Sequence, residues 1–257
     1  MLTLLLIFFL SLFGTTCPLY LWLIDAHKEK IKLHRFILGL SLASSVVTTL
    51  FYYSLNISNS SKIVIYIWVF LLSIVTLYYW RKSSYSNVLI SIPSIAGMLL
   101  IYSLVSEIIS PSILSFLIIL VGAFILSGSM FAMILGHWYL NVVNIPISLL
   151  RNTTKVLMFF IIFRLVWNII LILNESIVYN GYFLSILEFI GTIDGIFLCI
   201  AILFGTILPL FLSYLTLRTI YIHSTQSATG LLYVMVISVI MGDLFFKYYI
   251  IRYGLVI

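Results

Sequence analysis

The sequence predicts an all-α bundle that crosses a lipid bilayer about eight times, with both termini on the outer side. Three observations predict it. Of 257 residues, 63% are hydrophobic and only 8% charged, whereas an ordinary soluble domain carries about 25% charged residues. The apolar residues gather into runs near the length of about 20 residues with which a helix crosses the hydrocarbon core. The basic residues fall between those runs and favour alternate loops. Disorder is excluded, because disordered chains are poor in aromatic and branched residues. A lipid bilayer is therefore the expected surrounding, and the whole of 1–257 reads as a single integral membrane domain.

The runs cover roughly 2–24, 34–55, 63–80, 87–109, 113–137, 156–174, 183–215 and 228–251. The first has no basic stretch before it and no clear small-x-small cleavage site, so it reads as a retained helix and not a signal peptide. The third is the shortest, bounded by Lys62 and by Trp80-Arg81-Lys82. Pro93 in the fourth and Pro209 in the seventh are expected to break or kink their helices. The seventh is long enough to span with tilt or to continue past the membrane. Between runs, 25–33, 138–155 and 175–182 are too short to house a soluble catalytic domain. Chemistry is expected among the helices or at their ends.

Orientation follows from the basic residues. Lys28, Lys30, Lys32, Arg35, Arg81, Lys82, Arg151, Lys155 and Arg218 follow odd-numbered runs, while Lys62, Lys247 and Arg252 lie toward the opposite side. By the positive-inside rule the first group faces the cytoplasm, which in a bacterial host means the inner membrane. The net charge of +6 is thus a topology signal. The cations form no dense patch, and nucleic acid is not an expected partner. Cys17 and Cys199 both lie in apolar runs and read as small buried hydrophobes.

Ionisable groups inside a span cost about 2.5–3.5 kcal/mol each on insertion scales, so they face the bundle interior and pair or carry function. Arg164 lies about eight residues, roughly 12 Å, into the sixth run. Asn168 shares its face one turn on, with Trp167 beside them. Asp194 in the following run is the expected counter-ion, and a pair that only locks two helices together is the plain alternative. Around it the chain reads Glu188-Phe-Ile-Gly191-Thr-Ile-Asp194-Gly195. Gly191 and Gly195 form a small-xxx-small pair for close helix packing or a flat ligand, and Glu188 lies near that groove as an acid able to accept a hydrogen bond or pass a proton. The fifth run carries Gly128, Ala132 and Gly136 on one stripe and ends in His137-Trp138-Tyr139. There the imidazole of His137 and the ring of Tyr139 suit a quinone head group, or simply an interfacial aromatic belt. Asp243 and Lys247, spaced i,i+4 with the acid first, are expected to neutralise one another at the outer boundary.

Several chemistries have no motif here. A mid-membrane haem wants two facing ligands. Of the four histidines only His137 touches a run, so haem is not expected, and the one pairing left open is His137 with His34 at the edge. HExxH, CxxC, P-loop and GxSxG patterns are missing, and no metal site is expected.

With its eight-span layout, sparse buried acids and a last run reading Gly242-Asp243-Leu244-Phe245-Phe246-Lys247-Tyr248, the chain resembles the quinol-reactive membrane anchor subunits of polysulfide and DMSO reductases. That resemblance implies a redox subunit without its own metal cofactor, binding a quinone or conducting protons and docking to protein partner subunits. Two other functions fit the same composition: a secondary transporter or channel for a small solute, whose helices are often broken around a mid-membrane site, and a membrane scaffold with no small-molecule site.

Overall fold

A computed structural model describes residues 1–24, 31–53, 59–82, 85–109, 112–142, 146–179 and 181–257. The expected basic positions Lys28 and Lys30, and His27, lie outside the described residues. Among those described, eight helices are long and apolar enough to cross a membrane. The chain is a polytopic membrane protein. It divides into two compact units, Met1–Ser112 and Ile113–Ile257.

The first unit holds α1 (Leu2–Thr16), which tightens into a 3₁₀ turn over Cys17–Leu23, α2 (Ile31–Tyr53), α3 (Asn59–Arg81) and α4 (Asn87–Ile108). Neighbours run in a closed cycle: α1 packs on α2 and α4, and α3 on α2 and α4. Trp68 is fully buried, and the absence of side chains at Gly14 and Gly97 makes room for it. A Cβ on Gly14 would stand 3.1 Å from the Trp68 ring. At the α1–α2 seam the Ser41 backbone lies against Gly14 and the Ser44 hydroxyl donates across to the Leu10 carbonyl at 2.7 Å, while Thr15 on α1 faces Gly97 of α4. Small polar residues at a seam let helices approach closely in lipid. Pro93 is absorbed inside a continuous α4.

Polarity runs inside out. On α3 the exposed side chains Ile63, Ile67, Phe70, Ile74 and Leu77 form one apolar stripe at helical spacing. In the second unit, α6 exposes Phe159, Phe163, Val166, Ile170 and Leu173 while burying Thr153, Thr154, Arg164 and Asn168. In water that arrangement would be upside down; against acyl chains it is the expected one.

The second unit comprises α5 (Ile113–Asn141), α6 (Ser148–Asn174), strands β1 (Ser176–Tyr179) and β2 (Tyr182–Ser185), short α7 (Ile186–Ile190), α8 (Ile193–Ile202), a π turn (Leu203–Ile207), α9 (Leu208–Tyr221) and α10 (Thr225–Tyr253). It too closes a cycle, α5–α6–α9–α10. Two expectations are corrected here. The seventh run does not start as a helix at 183: that stretch is the second strand of a hairpin with Ile177 opposite Leu184, turned at Gly181 with φ +85°. Its spanning helix is Ile193–Tyr221, and the break ahead of Pro209 takes the form of a π turn in which the Leu208 N–H reaches back to Leu203. Proline has no N–H and its ring crowds the carbonyl four residues earlier, so the ladder widens there. The third span, Ser61–Arg81, is the shortest of the eight among the described residues, at 21 residues, within an α3 of 23. The sixth run does not start at 156: α6 starts at Ser148, since Arg151 and Lys155 continue the helix beyond its apolar part.

After α10, Gly254 takes the left-handed conformation with φ 67° and caps the helix, as glycine does at this position. Leu255, Val256 and Ile257 then turn back and are buried, joining a core of Leu171, Ile186, Phe189, Leu198 and Tyr249.

Gly205 of the π turn meets Gly242 of α10 backbone to backbone. Overpacking such a contact costs roughly 1–3 kcal/mol. Gly242→Ala is expected to lower the melting temperature of the detergent-solubilised protein by several degrees. Gly230→Ala on the same helix has open space around it and is expected to leave melting unchanged. Equal melting of the two variants would contradict the contact.

Candidate functional site

Three of the predicted residues come together in the second unit. Arg164 and Asn168 on α6 and Asp243 on α10 are all buried, and Arg164 lies within electrostatic reach of Asp243. Arg164 and Asp243 each sit about ten residues, roughly 15 Å, from the C-terminal ends of their helices. That is half the thickness of a hydrocarbon core of about 30 Å.

Asp243 forms an ion pair with Lys247 one turn later, the two side chains being 7% and 3% exposed. This corrects the expected position at the outer boundary. α10 continues to Tyr253, and α7, the hairpin and the returning 255–257 segment build a cap that the apolar run alone does not reveal. The expected Arg164–Asp194 pair is also absent. Asp194 lies in the first turn of α8, where its carboxylate accepts from Tyr253 Oη at 2.7 Å and its backbone carbonyl from Tyr249 Oη. The helix break at Gly191-Thr192 places Asp194 at the end of the span, away from Arg164's depth.

The guanidinium of Arg164 fills the space opposite Gly122 and stacks over the Phe246 ring with its Cζ 4.0 Å from the centroid. It donates to the carbonyl oxygen of Ile257, and Trp167 Nε1 donates to the carbonyl of Val256 at 3.0 Å. Asn168 Nδ2 donates to Thr206 Oγ1 at 3.1 Å, and Ser238 Oγ to the Phe204 carbonyl at 2.6 Å. The π turn is thus held by α6 on one side and α10 on the other. Such side-chain partners are what irregular backbone needs where water is scarce. Arg164 Nε and Asn168 Oδ1 have no hydrogen-bond partner among the described residues.

The remaining candidates lie elsewhere. Glu188 is the third residue of α7 and completes a capping box: Ser185 N–H donates to its carboxylate at 2.9 Å, and its own N–H donates to Ser185 Oγ at 3.3 Å. That bonding uses up the acid as a helix cap. Gly191 and Gly195 do not form one stripe, because Gly191 ends α7 and Gly195 opens α8, tucked against the Phe189 carbonyl. His137 is exposed at the end of α5, with Nδ1 3.2 Å from Tyr233 Oη and Nε2 3.3 Å from Asn141 Nδ2. Tyr139 donates to the Pro146 carbonyl across the following turn. His34, in the first unit, is buried and stacked on Tyr85 with centroids 4.4 Å apart. Cys17 is buried as expected, but Cys199 is exposed on α8, part of the apolar outer surface.

Lys247 completes the cluster as the expected partner of Asp243, together with Thr206 and Phe246, which were not singled out from sequence. The usable signal was the pair of glycines, Gly205 and Gly242, which bring α10 against the broken helix. Chemically, the cluster sets one carboxylate between two cations in a bundle that excludes water. Ionisable groups buried in a span in this way either pair structurally or carry function. No family model, curated protein or solved structure matches the chain.

The cap at Glu188 has a pH signature. Hydrogen bonds from Ser185 hold its carboxyl below the ordinary value of 4.5. Its contribution is therefore present above that value and is lost as pH falls through the lower, folded value. Glu188→Gln, which keeps an acceptor but removes the charge, is expected to melt slightly lower than the parent at neutral pH. The difference is expected to vanish in strong acid. A difference independent of pH would contradict the charged cap.

Proposed function

We propose that the protein moves a small monovalent anion together with a proton across its membrane, using the Arg164–Asp243–Lys247 cluster. The observation that carries this reading is the buried Asp243–Lys247 ion pair with Arg164 in reach of the same carboxylate.

While Asp243 is ionised it neutralises Lys247, and truncating one partner of a buried pair leaves an uncompensated charge that costs about 3–5 kcal/mol. Protonating Asp243 has the same effect: it frees Lys247 and leaves two buried cations facing each other. An incoming anion offsets that charge. Proton and anion together leave the net charge of the cluster unchanged, so each favours the binding of the other. The π turn supplies the mechanical element, since helix bulges of this kind concentrate at functional sites. Two units with the same cyclic helix order also fit a carrier, a class often built from internal repeats.

A quinone-reactive redox subunit, as the resemblance to the reductase anchors implies, is the second reading. The exposed His137–Tyr233 contact favours it, because imidazole and phenol are suitable donors to a quinone carbonyl. Organic extraction of the purified protein tests it: a stoichiometric quinone, lost in His137→Ala, supports the redox reading.

For transport, the protein is reconstituted into vesicles containing a pH-sensitive dye, and lactate, chloride or nitrate is added outside. With at least one of these, internal acidification is expected to exceed that of empty vesicles. The rate is expected to fall at least about tenfold, equivalent to about 1.4 kcal/mol, in both Asp243→Asn and Arg164→Gln. Acidification unchanged in both variants, or none above empty vesicles with any anion, contradicts the proposal.

A further inference from the structure

As topology signals, Arg81 and Lys82 act wherever their side chains point. The fold gives those side chains a definite place. At the end of α3 they join Leu77, Tyr78 and Trp80 around an open pocket of about 620 Å³. The Lys82 ammonium lies 4.3 Å from the centroid of the Tyr78 ring and donates to the hydroxyl of the same residue. The Trp80 ring reaches α2, where a Cβ on Gly39 would stand 3.8 Å from it. A third cation, Arg35 of α2, donates to the Lys82 carbonyl at 3.3 Å, and its Nε has no hydrogen-bond partner among the described residues. Among the described residues of this unit the one carboxylate is Glu107. It accepts from Ser61 at 2.6 Å, at the opposite end of α3.

We infer that this pocket holds the headgroup of an anionic phospholipid whose acyl chains lie along α3. The helical register carries the inference. Ile67, Phe70, Ile74 and Leu77 are exposed at alternating steps of three and four, and the next step on that face is the exposed Arg81. Arg81 therefore stands at the head of the apolar stripe. Ile67 to Leu77 spans roughly 15 Å of helix at about 1.5 Å per residue. One leaflet supplies the same length, half of a hydrocarbon core of about 30 Å. A lipid of that leaflet lays its chains on the stripe and brings its phosphate beside Arg81 and Lys82.

The lining distinguishes a lipid from a dissolved anion. Leu77, Tyr78 and Trp80 give the pocket an exposed apolar and aromatic wall. A dissolved phosphate engages only the two cations and leaves that wall wet, whereas a lipid covers both. Tryptophan and tyrosine favour the depth of the headgroups, and basic residues at the ends of membrane helices attract anionic lipids. Charge then selects among lipids. A zwitterionic headgroup carries a cation of its own into a place that already holds Arg35, Arg81 and Lys82. Among the described residues no carboxylate stands at this end to receive it, so a headgroup with net negative charge is preferred.

Trp80 reports on the site, because bromine on an acyl chain quenches tryptophan fluorescence only at close range. The full chain is reconstituted into phosphatidylcholine vesicles containing increasing fractions of either phosphatidylglycerol or phosphatidylcholine, brominated near the headgroup end of the chains. The share of emission due to Trp80 is the difference between the parent and Trp80→Phe. Half-quenching is expected at a fraction of brominated phosphatidylglycerol at least about fivefold below that of brominated phosphatidylcholine, the preference that one juxtamembrane cation supplies. Arg81→Gln with Lys82→Gln is expected to make the two lipids quench alike, while Arg81→Lys with Lys82→Arg keeps the preference. The single variants Arg81→Gln and Lys82→Gln, each expected to lose part of it, carry the test where the double variant does not reconstitute. Lys62→Gln, at the other end of α3, is expected to change nothing. Equal quenching by the two lipids in the parent, or a preference that survives the loss of both cations, overturns the site. Loss of the preference in Lys62→Gln overturns it as well, by assigning the effect to overall charge. Excess inorganic phosphate at matched ionic strength is expected to leave the preference in place. Its abolition by phosphate assigns the cations to a dissolved anion and overturns the lipid.

Discussion

The second unit depends on one constraint: Asp243 must be neutralised where water is excluded. Three ionisable side chains, Arg164, Asp243 and Lys247, lie at a depth where each alone would oppose insertion by about 2.5–3.5 kcal/mol. Only mutual placement makes them tolerable, and the rest of the unit follows from achieving it. Gly205 and Gly242 let α10 touch the π turn. Gly122 leaves room for the guanidinium, and Phe246 provides a ring beneath it. The side chains of Asn168 and Ser238 engage the turn that Pro209 forces open.

The first unit offers a useful contrast. Its interior is bonded by hydroxyls and by the buried Trp68 ring. Ser and Thr side chains satisfy themselves on the preceding turn of their own helix, as Thr16 does on Leu12 at 2.9 Å and Thr48 on Ser44 at 2.8 Å. Such bonds travel with the helix and specify no partner. The charged cluster behaves differently, because each group depends on a residue of another element or another turn.

How much was legible follows from the same physics. The helices were readable because lipid imposes a length and a composition on each span, and the inward face of Arg164 and Asn168 followed from their helical spacing. The Asp243–Lys247 pair followed from its spacing, but the partner of Arg164 did not. Asp194 looked like the counter-ion because the seventh run appeared continuous, but a hairpin and a short helix intervene and move it to the end of the span. The Asn-Gly dipeptide at 180–181 was the turn signal for that hairpin, hidden within a stretch rich in Tyr, Ile and Phe. Asp243 and Lys247 were placed at a boundary by counting apolar residues alone, which does not register a cap built by the chain folding back. Glu188 was read as a chemical acid, although Ser185 three residues earlier marks it as half of a capping box.

The claim on which the account rests is that Asp243 gains a proton as an anion enters. Infrared difference spectroscopy of the detergent-solubilised protein, with and without an added anion that has no carboxyl group of its own, chloride or nitrate, tests it directly. The account predicts that a protonated-carboxyl band appears with the anion and is missing from Asp243→Asn. A spectrum without that band, or one that persists unchanged in Asp243→Asn, would contradict it.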